Sequence, residues 1–530
     1  MYCTTIVEII VAKSEELLEM PLIQNTKSST ETLAKDFKAR DFFVNYRSSA
    51  VFPVFIRKST DVHIVFLNYW TLKNEIEAAD LTIIFSVYKS DGSMAEQFVY
   101  PTIGFHNQVS IRNILNIAPL DTDAEFDGIV NVEILSTKNL RFAFPGIIAV
   151  YQSGSLFSSV HSAGRIKNPN EKQLINYSNE TNWNCKFKLG IEPFFHYFVG
   201  PSVPQARELT VILRSQTGVG KETVKVDTSD VPSFGSKFVW IREIFPDHNF
   251  EAGDFVSVLI EHNSVFPRLV VGNLHTENNF LEVTHSFPII EADDYCTNKS
   301  GVEFQSMLCA FTSKDLELSS RVFPTNCSNN FSGSMYTQKF DQKMLQNSQE
   351  LSSLETVYEQ TSSKLILDCE TKFICIRFKG DKIPSRINAS FIYKVRNQPS
   401  DYSTDIASGA ESGDVPLKSR HWGHGYLGDG YKSLILLRNN KLNLPVATQI
   451  HGVITVFGHD LHLRKEISID PESALVLSIN ELIEESGNSS RGLNDNTFVS
   501  WYLEVDEPIG DTFWLAYRTA DGAIFGDHGL

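Results

Sequence analysis

Apolar and polar residues alternate with a period near two in short runs along most of the chain. Four of these runs are rich in β-branched and aromatic residues: Gly128–Ile134, Asp254–Leu259, Lys372–Phe378 and Thr497–Leu503. Because successive side chains of a strand point to opposite faces, the alternation predicts half-buried β-strands. Helical spacing is limited to residues 342–358, where we expect one helix, and to the N-terminal residues.

A block of the pattern apolar-x-x-apolar-apolar occurs four times, beginning at Ile111, Ile241, Leu354 and Ile479. These first residues lie 130, 113 and 125 positions apart. A strand-like run precedes each block, and two more follow it. The repetition predicts four copies of one all-β unit, each with enough strands for a two-sheet sandwich. We expect the block to cross between the two sheets as a short helical turn.

The predicted fold class is all-β, with tandem β-sandwich-like units and a short N-terminal helical arm. The expected organisation is an arm (1–44), four sandwich units (45–165, 186–290, 300–395 and 420–530) and a flexible linker (396–419). The linker is predicted from its content of Ser, Asp, Gly, Ala and Pro, which favours mobile chain over packed structure.

Composition excludes several classes of function. The 530 residues include 64 acidic and 47 basic side chains, which gives a formal net charge of −17. Such a charge repels a phosphate backbone, so we expect no nucleic-acid partner. The longest apolar run, Phe142–Tyr151, is too short for the ~20 residues of a membrane helix. Without a secretory signal, the default expectation is a soluble, cytoplasmic protein.

Motifs for catalysis and cofactor binding are absent from the sequence. There is no phosphate-binding loop and no Gly-x-Ser-x-Gly nucleophile motif. The seven cysteines include no Cys-x-x-Cys pair, which favours free thiols in a reducing compartment over a disulfide framework or a zinc site. We therefore expect no cofactor, and the balance is against an enzyme.

Two His-x-x-His pairs, His421 with His424 and His459 with His462, are candidate metal ligands in the fourth unit. Imidazole is a common ligand of transition metals. However, this spacing places both rings on one face only in a helix, whereas both segments have the pattern of strand or turn. We therefore interpret the two pairs as structural and consider a metal site here improbable.

A second histidine pattern emerges only from the repeat. His161, His285 and His528 each follow the last predicted strand of a unit, and Arg165 comes four residues after His161. The favoured interpretation is a structural hydrogen bond at a sandwich edge. The alternative is a ligand site in which imidazole, serine hydroxyl and guanidinium groups hold a sugar acid. Three aromatic residues near unit entrances are further ligand-binding candidates: Trp183, His196 and Trp422.

We expect a non-catalytic multidomain protein that binds or scaffolds, with a glycan or another extended polymer as the ligand, because tandem modules gain affinity through multivalency. One alternative is a metal-assisted enzyme with its site between the second and fourth units, around His196, His421 and His424. Another is a component of a self-assembling shell or surface layer, and oligomerisation is compatible with each possibility.

Overall fold

The computed structural model describes residues 47–529, except for several short segments. These are 75–76, 78–80, 101–103, 119–122, 138–145, 162–175, 202–206, 217, 263–267, 289–295, 297–302, 312, 325–331, 341–344, 352–372, 384–386, 413–416, 444–445 and 488–495. The predicted N-terminal arm and Arg165 lie outside the described residues.

Antiparallel β-sheet dominates the described residues, in eight small sheets with few helices. The predicted all-β class is confirmed. Every strand pairing stays within one of four consecutive segments, each of which contributes two sheets. We call these segments sandwich 1 to sandwich 4.

Sandwich 1 begins at Arg47. Its elements are β1 (Arg47–Ile56), β2 (Thr60–Leu67), α1 (Tyr69–Asn74), β3 (Leu81–Lys89), β4 (Met94–Tyr100), β5 (His106–Ser110), α2 (Ile111–Ile114), β6 (Phe126–Ser136), β7 (Ile147–Ser153) and β8 (Leu156–His161). The strand orders are β1-β6-β3-β4 and β5-β2-β7-β8.

Sandwich 2 repeats this topology and adds one short strand. Its elements are β9 (Asn176–Asn182), β10 (Ile191–Phe198), β11 (Glu208–Arg214), β12 (Gly220–Asp227), β13 (Ser236–Trp240), α3 (Ile241–Ile244), β14 (Phe255–His262), β15 (Val270–His275), β16 (Phe280–His285) and β17 (Phe287–Pro288). The orders are β12-β11-β14-β9-β17 and β13-β10-β15-β16. Strand β9 precedes the predicted start of the unit at 186, because its polar sequence lacks the apolar alternation on which that boundary was based.

Sandwich 3 differs most from the prediction. Its elements are β18 (Ser306–Phe311), β19 (Leu316–Pro324), β20 (Ser332–Phe340), β21 (Leu345–Leu351), β22 (Phe373–Lys382), β23 (Ile387–Val395), β24 (Thr404–Gly409) and β25 (Glu411–Ser412). The orders are β21-β20-β22-β18-β25 and β19-β23-β24. The helix predicted over 342–358 is wrong where the structure describes it, because β21 pairs with β20 there.

Sandwich 4 completes the described chain. Its elements are β26 (Lys418–Leu427), β27 (Lys432–Asn439), β28 (Ile450–Phe457), β29 (His462–Ile469), β30 (Ser473–Ser478), α4 (Ile479–Glu485), β31 (Thr497–Ile509), β32 (Phe513–Tyr517) and β33 (Ile524–His528). The orders are β26-β31-β28-β29 and β30-β27-β32-β33.

Short helices stand where three of the four repeated blocks predict them. Helices α2, α3 and α4 begin at Ile111, Ile241 and Ile479, whose side chains are fully buried. Ser110 and Ser478 cap α2 and α4 by accepting a hydrogen bond from a first-turn amide, which stabilises the exposed N–H groups of a helix start. The block at Leu354 lies outside the described residues.

The segment predicted as a flexible linker, 396–419, contains β24, β25 and the first residues of β26. Residues 404–408 are buried, and β24 pairs with β23 along its length. The linker prediction is therefore corrected. The described part of this segment forms strands, and β24 is the edge strand of a sheet and packs against neighbouring sandwiches.

One cysteine pair also departs from the expectation of free thiols. Cys309 on β18 and Cys375 on β22 are direct cross-strand partners and form a disulfide. Cys185 and Cys296 are half-buried and take no part in this disulfide. Loose spacing along the chain did not reveal this pair, because antiparallel pairing brings residues of distant sequence together. None of the helices among the described residues is long and apolar enough to span a bilayer.

The four sandwiches meet through equivalent edge strands. β8, β16, β24 and β33 each form one edge of a sheet, and each packs against two of the others, so that they form a closed ring. Hydrogen bonds join all four neighbours in this ring: Val283 N to Ser158 Oγ (2.8 Å), Ser159 Oγ to Gly526 O (3.1 Å), Thr404 Oγ1 to Gly526 O (3.4 Å) and Ser403 Oγ to Glu282 Oε1 (2.9 Å). We call this arrangement the central ring; it hides edges that would otherwise be open to aggregation.

Candidate functional site: a central histidine cluster and a surface groove

The central ring brings three of the predicted site residues together. His161 ends β8, His285 ends β16 and His528 ends β33. One ring nitrogen of each lies within 4.8 Å of those of the other two. The His161 ring centroid is 4.6 Å from that of His285 and 4.4 Å from that of His528. We call these three residues the histidine cluster.

Each ring of the histidine cluster has a partner at Nδ1. His161 Nδ1 is 2.8 Å from Asp527 Oδ2. His285 Nδ1 donates to the Ser286 carbonyl at 2.9 Å, and His528 Nδ1 donates to the Gly529 carbonyl at 3.1 Å. A carbonyl can only accept, so the proton of neutral His285 and His528 is on Nδ1 and the lone pair is on Nε2.

A guanidinium closes the histidine cluster on one side. Arg268 Nη1 lies 3.4 Å from His161 Nε2 and 3.3 Å from His285 Nε2. The guanidinium of the predicted ligand site was that of Arg165, which lies outside the described residues. Arg268 precedes β15, where no motif or repeat marks it, so sequence reasoning missed it.

The surroundings keep two of the imidazoles neutral. Burial, together with the charge of Arg268, lowers the pKa of His285 well below its usual value. Burial also lowers the pKa of His528, to about 4. Burial alone would raise the pKa of Asp527, but its interactions with His161 and His528 together outweigh burial and hold that pKa below the usual range. At neutral pH the cluster therefore contains two uncharged imidazoles, those of His285 and His528, beside a carboxylate and a guanidinium.

A second candidate site lies on the surface between sandwiches 1 and 4. A groove of about 800 Å³ is bordered by Phe105, β5, and the loop that joins β28 to β29. Phe105 packs against Phe457 at 4.8 Å between centroids, and Phe457 stacks on His462 at 5.2 Å. The Phe105 side chain is 37% exposed, so an aromatic ring is open to solvent inside a concave surface.

Amide and imidazole groups line the same groove. Gln108 Nε2 lies 3.4 Å from His63 Nδ1, and His63 Nε2 lies 2.7 Å from Gln152 Oε1. Asn107 is 2% exposed, and its Oδ1 has no hydrogen-bond partner among the described residues. Burial lowers the pKa of His106 to about 4, and its Nδ1 lies 2.9 Å from Ser500 Oγ.

A second depression of about 450 Å³ continues the groove along β4 and α2. The two share Tyr100, Gln108, Ser110 and Asn113 in their linings. Phe98 on β4 also lines it and is 39% exposed. From this point, the groove means the two depressions together. Sequence reasoning missed it; the adjacent exposed residues Phe98 and Val99, which break strict alternation on an edge strand, were the available signal.

Three of the predicted ligand-binding residues are buried in packing contacts. Trp183 lies against Phe287 at 5.1 Å, and His196 lies edge-on to Phe238 at 4.7 Å. Trp422 stacks on Tyr69 at 4.1 Å, across the boundary between sandwiches 1 and 4. All three are less than a tenth exposed. Trp422 therefore packs between two sandwiches, whereas the partners named for Trp183 and His196 belong to their own sandwich. Ligand binding by these three residues stays a prediction.

The two His-x-x-His pairs do not converge. His421 and His424 are buried on β26, where their odd spacing points them to opposite faces. His424 Nδ1 lies 3.0 Å from Ser500 Oγ, and His421 Nε2 lies 3.0 Å from the Lys418 carbonyl. His459 and His462 border the groove. Within the described part of the chain, neither pair belongs to a group of three potential metal ligands.

Comparison with protein-family models and with curated proteins gives no match. Among solved structures, the chain aligns with the native conformation of alpha-2-macroglobulin from E. coli, at 9% identity and a TM-score of 0.08. It also aligns with Salmonella alpha-2-macroglobulin reacted with methylamine, at 9% identity and a TM-score of 0.09. The alignments cover 89% and 91% of this chain but only 28% and 29% of those chains. Such low scores carry no argument about fold or function.

Proposed function

We propose that this protein is a non-catalytic binding protein for an extended, hydroxyl-rich polymer, with a glycan as the favoured class, and that the groove is its binding site. The observation that carries the proposal is the continuity of the two depressions through Tyr100, Gln108, Ser110 and Asn113. Each depression has a volume within the usual range for ligand sites. A shared lining produces one elongated surface, which suits a polymer better than a compact molecule.

The chemistry of the groove fits sugar rings. Phe98 and Phe105 present exposed aromatic surface, on which the apolar face of a sugar can pack. The exposed Gln108 supplies an amide group, which can both donate to and accept from hydroxyls.

The charges at the groove favour a neutral polymer. Its described lining includes the carboxylates Glu96 and Asp460 but neither lysine nor arginine. An anionic polymer would meet these carboxylates and the net charge of −17 without a compensating cation. A sugar acid, the ligand considered in the sequence analysis for the histidine cluster, is therefore disfavoured at the groove.

The test is a binding panel of neutral and anionic polysaccharides, measured with the full chain by affinity electrophoresis and calorimetry. We expect saturable binding to at least one neutral polymer, and a reduction in the Gln108→Ala variant. Tyr177→Ala is the matched control, since Tyr177 is 69% exposed on β9 and lies outside the groove. Failure to bind any neutral polymer, or equal losses in both variants, would contradict the proposal.

A further inference from the structure

The histidine cluster offers a metal site that is independent of the proposed polymer groove. We propose that His161, His285 and His528 together bind one divalent transition-metal ion of the zinc class. The three residues come from three different sandwiches, and one ring nitrogen of each already lies within 4.8 Å of the others. Residues from distant parts of the sequence thus converge at one place in the fold, as they do in a ligand-binding site.

The hydrogen bonds around the cluster prepare the rings for a metal. The Ser286 and Gly529 carbonyls hold the Nδ1 protons of His285 and His528, and Asp527 lies against Nδ1 of His161. Metal-binding histidines commonly donate their other ring nitrogen to a carbonyl or a carboxylate, which fixes the tautomer and increases ligand basicity. The cluster therefore presents Nε2 lone pairs with this outer shell in place.

The distances require a modest contraction on binding. Zinc–nitrogen bonds of about 2.0–2.1 Å place tetrahedral ligand atoms about 3.3–3.4 Å apart. One ring nitrogen of each residue now lies within 4.8 Å of the others, so the ligand atoms would have to move closer together to bind the ion. His161 and His285 are buried, whereas His528 is partly exposed at the end of β33.

Arg268 is the competitor for the metal. Its Nη1 occupies hydrogen-bonding positions at His161 Nε2 and His285 Nε2, and its charge opposes a second cation. A metal must displace this guanidinium before it can bind those lone pairs. Asp527 offsets part of the added charge, because its Oδ2 lies 2.8 Å from the His161 ring. Removal of the Arg268 charge should therefore strengthen metal binding.

Ligand chemistry narrows the choice of ion. Three imidazoles with no thiolate suit zinc, cobalt, nickel and copper, whereas magnesium and calcium prefer oxygen ligands. A bound ion would link β8, β16 and β33, and would hold sandwiches 1, 2 and 4 together at the central ring.

The experiment uses the full chain, stripped of metal with a chelator and then titrated with zinc chloride against a chromophoric chelator. We expect one equivalent of zinc to bind and to raise the melting temperature. With cobalt chloride in place of zinc, the wild-type chain should show the visible absorption bands of low-coordinate cobalt. This measurement tests the site without any amino-acid substitution. His285→Gln and His528→Gln should each weaken zinc binding about a hundredfold, and Asp527→Asn about tenfold. Arg268→Gln should tighten it.

His451→Gln is the control, since His451 is an exposed histidine of β28 that lies outside the cluster. Absence of saturable zinc binding to the wild-type chain would overturn the proposal. Stoichiometric binding that persists unchanged in both His285→Gln and His528→Gln would overturn it as well, because the metal would then be held elsewhere. Neither result bears on polymer binding at the groove.

Discussion

The histidine cluster and the groove differ in how the fold builds them. The cluster lies where equivalent strand ends of three sandwiches meet, and its rings are held by Asp527, by Arg268 and by backbone carbonyls. The groove lies between non-equivalent surfaces, an edge strand of sandwich 1 and a hairpin loop of sandwich 4, and leaves Phe98 and Phe105 exposed. Satisfied, buried groups suit an internal link between sandwiches, whereas exposed rings and amides suit an external ligand.

Acid should have the largest effect on the stability of the fold as a whole, because several of its histidines are buried and neutral. Burial lowers the pKa of His528 and His421 to about 4, and that of His196 and His424 to about 3. The unfolded chain takes up these protons near pH 6.5, so stability is complete above pH 6.5 and falls as the pH drops towards 4 and 3. Each neutral buried histidine contributes a loss of about 1.4 kcal/mol per pH unit in this window.

The free energy of unfolding, measured with urea at several pH values between about 7 and 4, checks this expectation. The range begins just above ~6.5, the pKa of histidine in an unfolded chain. The His424→Gln variant should show a shallower slope by about one proton. Stability that stays constant from pH 7 to pH 4, about the titration range of these histidines, would show that they are not buried and neutral.

Packing between sandwiches should matter more for stability than any contact in the groove. Trp422 is 8% exposed and stacks on Tyr69 of sandwich 1. Trp422→Ala should lower the free energy of unfolding by about 3–5 kcal/mol, because it leaves a cavity between two sandwiches. Phe105→Ala should cost well under half of that, since Phe105 is 37% exposed. Chemical denaturation measures both changes. Equal losses of unfolding free energy in the two variants would contradict the expected difference between the sandwich contact and the groove.

Within the groove, Phe98→Ala should have a small effect on stability and a moderate effect on ligand binding. Phe98 on β4 is 39% exposed, so its removal should change the free energy of unfolding by about 0.5 kcal/mol or less. Loss of an aromatic contact of about 1 kcal/mol should weaken polymer binding about fivefold. Calorimetry with the best polymer of the panel measures the change, and an unaltered affinity would restrict the site to the Phe105 end.

The repeat made the cluster partly predictable and left the groove hidden. Residues at the same position of each copy, such as His161, His285 and His528, meet when equivalent edge strands pack around a common centre. Reading them as separate edge residues missed this meeting, because the sequence does not show that the central ring closes. Arg268 was unpredictable for the same reason: it reaches the cluster through the fold, outside the repeated motif.

Burial in the folded protein is the property that the sequence does not show for the predicted ligand-binding residues and the predicted linker. Residues of the types of Trp183, His196 and Trp422 are common in ligand-binding sites as well as in protein cores. Only the structure shows that these three side chains are buried. The strand β24 was hidden in a composition typical of linkers, yet its polar side chains are satisfied at the central ring, for example Thr404 by the Gly526 carbonyl at 3.4 Å. Local patterns identified the strands and the helical turns, whereas contacts between sandwiches required the structure.

The most direct test of the proposed function compares Phe105→Ala with His285→Gln in binding to the best neutral polymer of the panel. We predict that Phe105→Ala weakens binding about tenfold, the loss of a contact of about 1.4 kcal/mol, with little change in melting temperature. His285→Gln should retain wild-type affinity while its melting temperature falls. The reverse outcome, in which His285→Gln loses binding and Phe105→Ala keeps it, would contradict the account and place the ligand at the central ring.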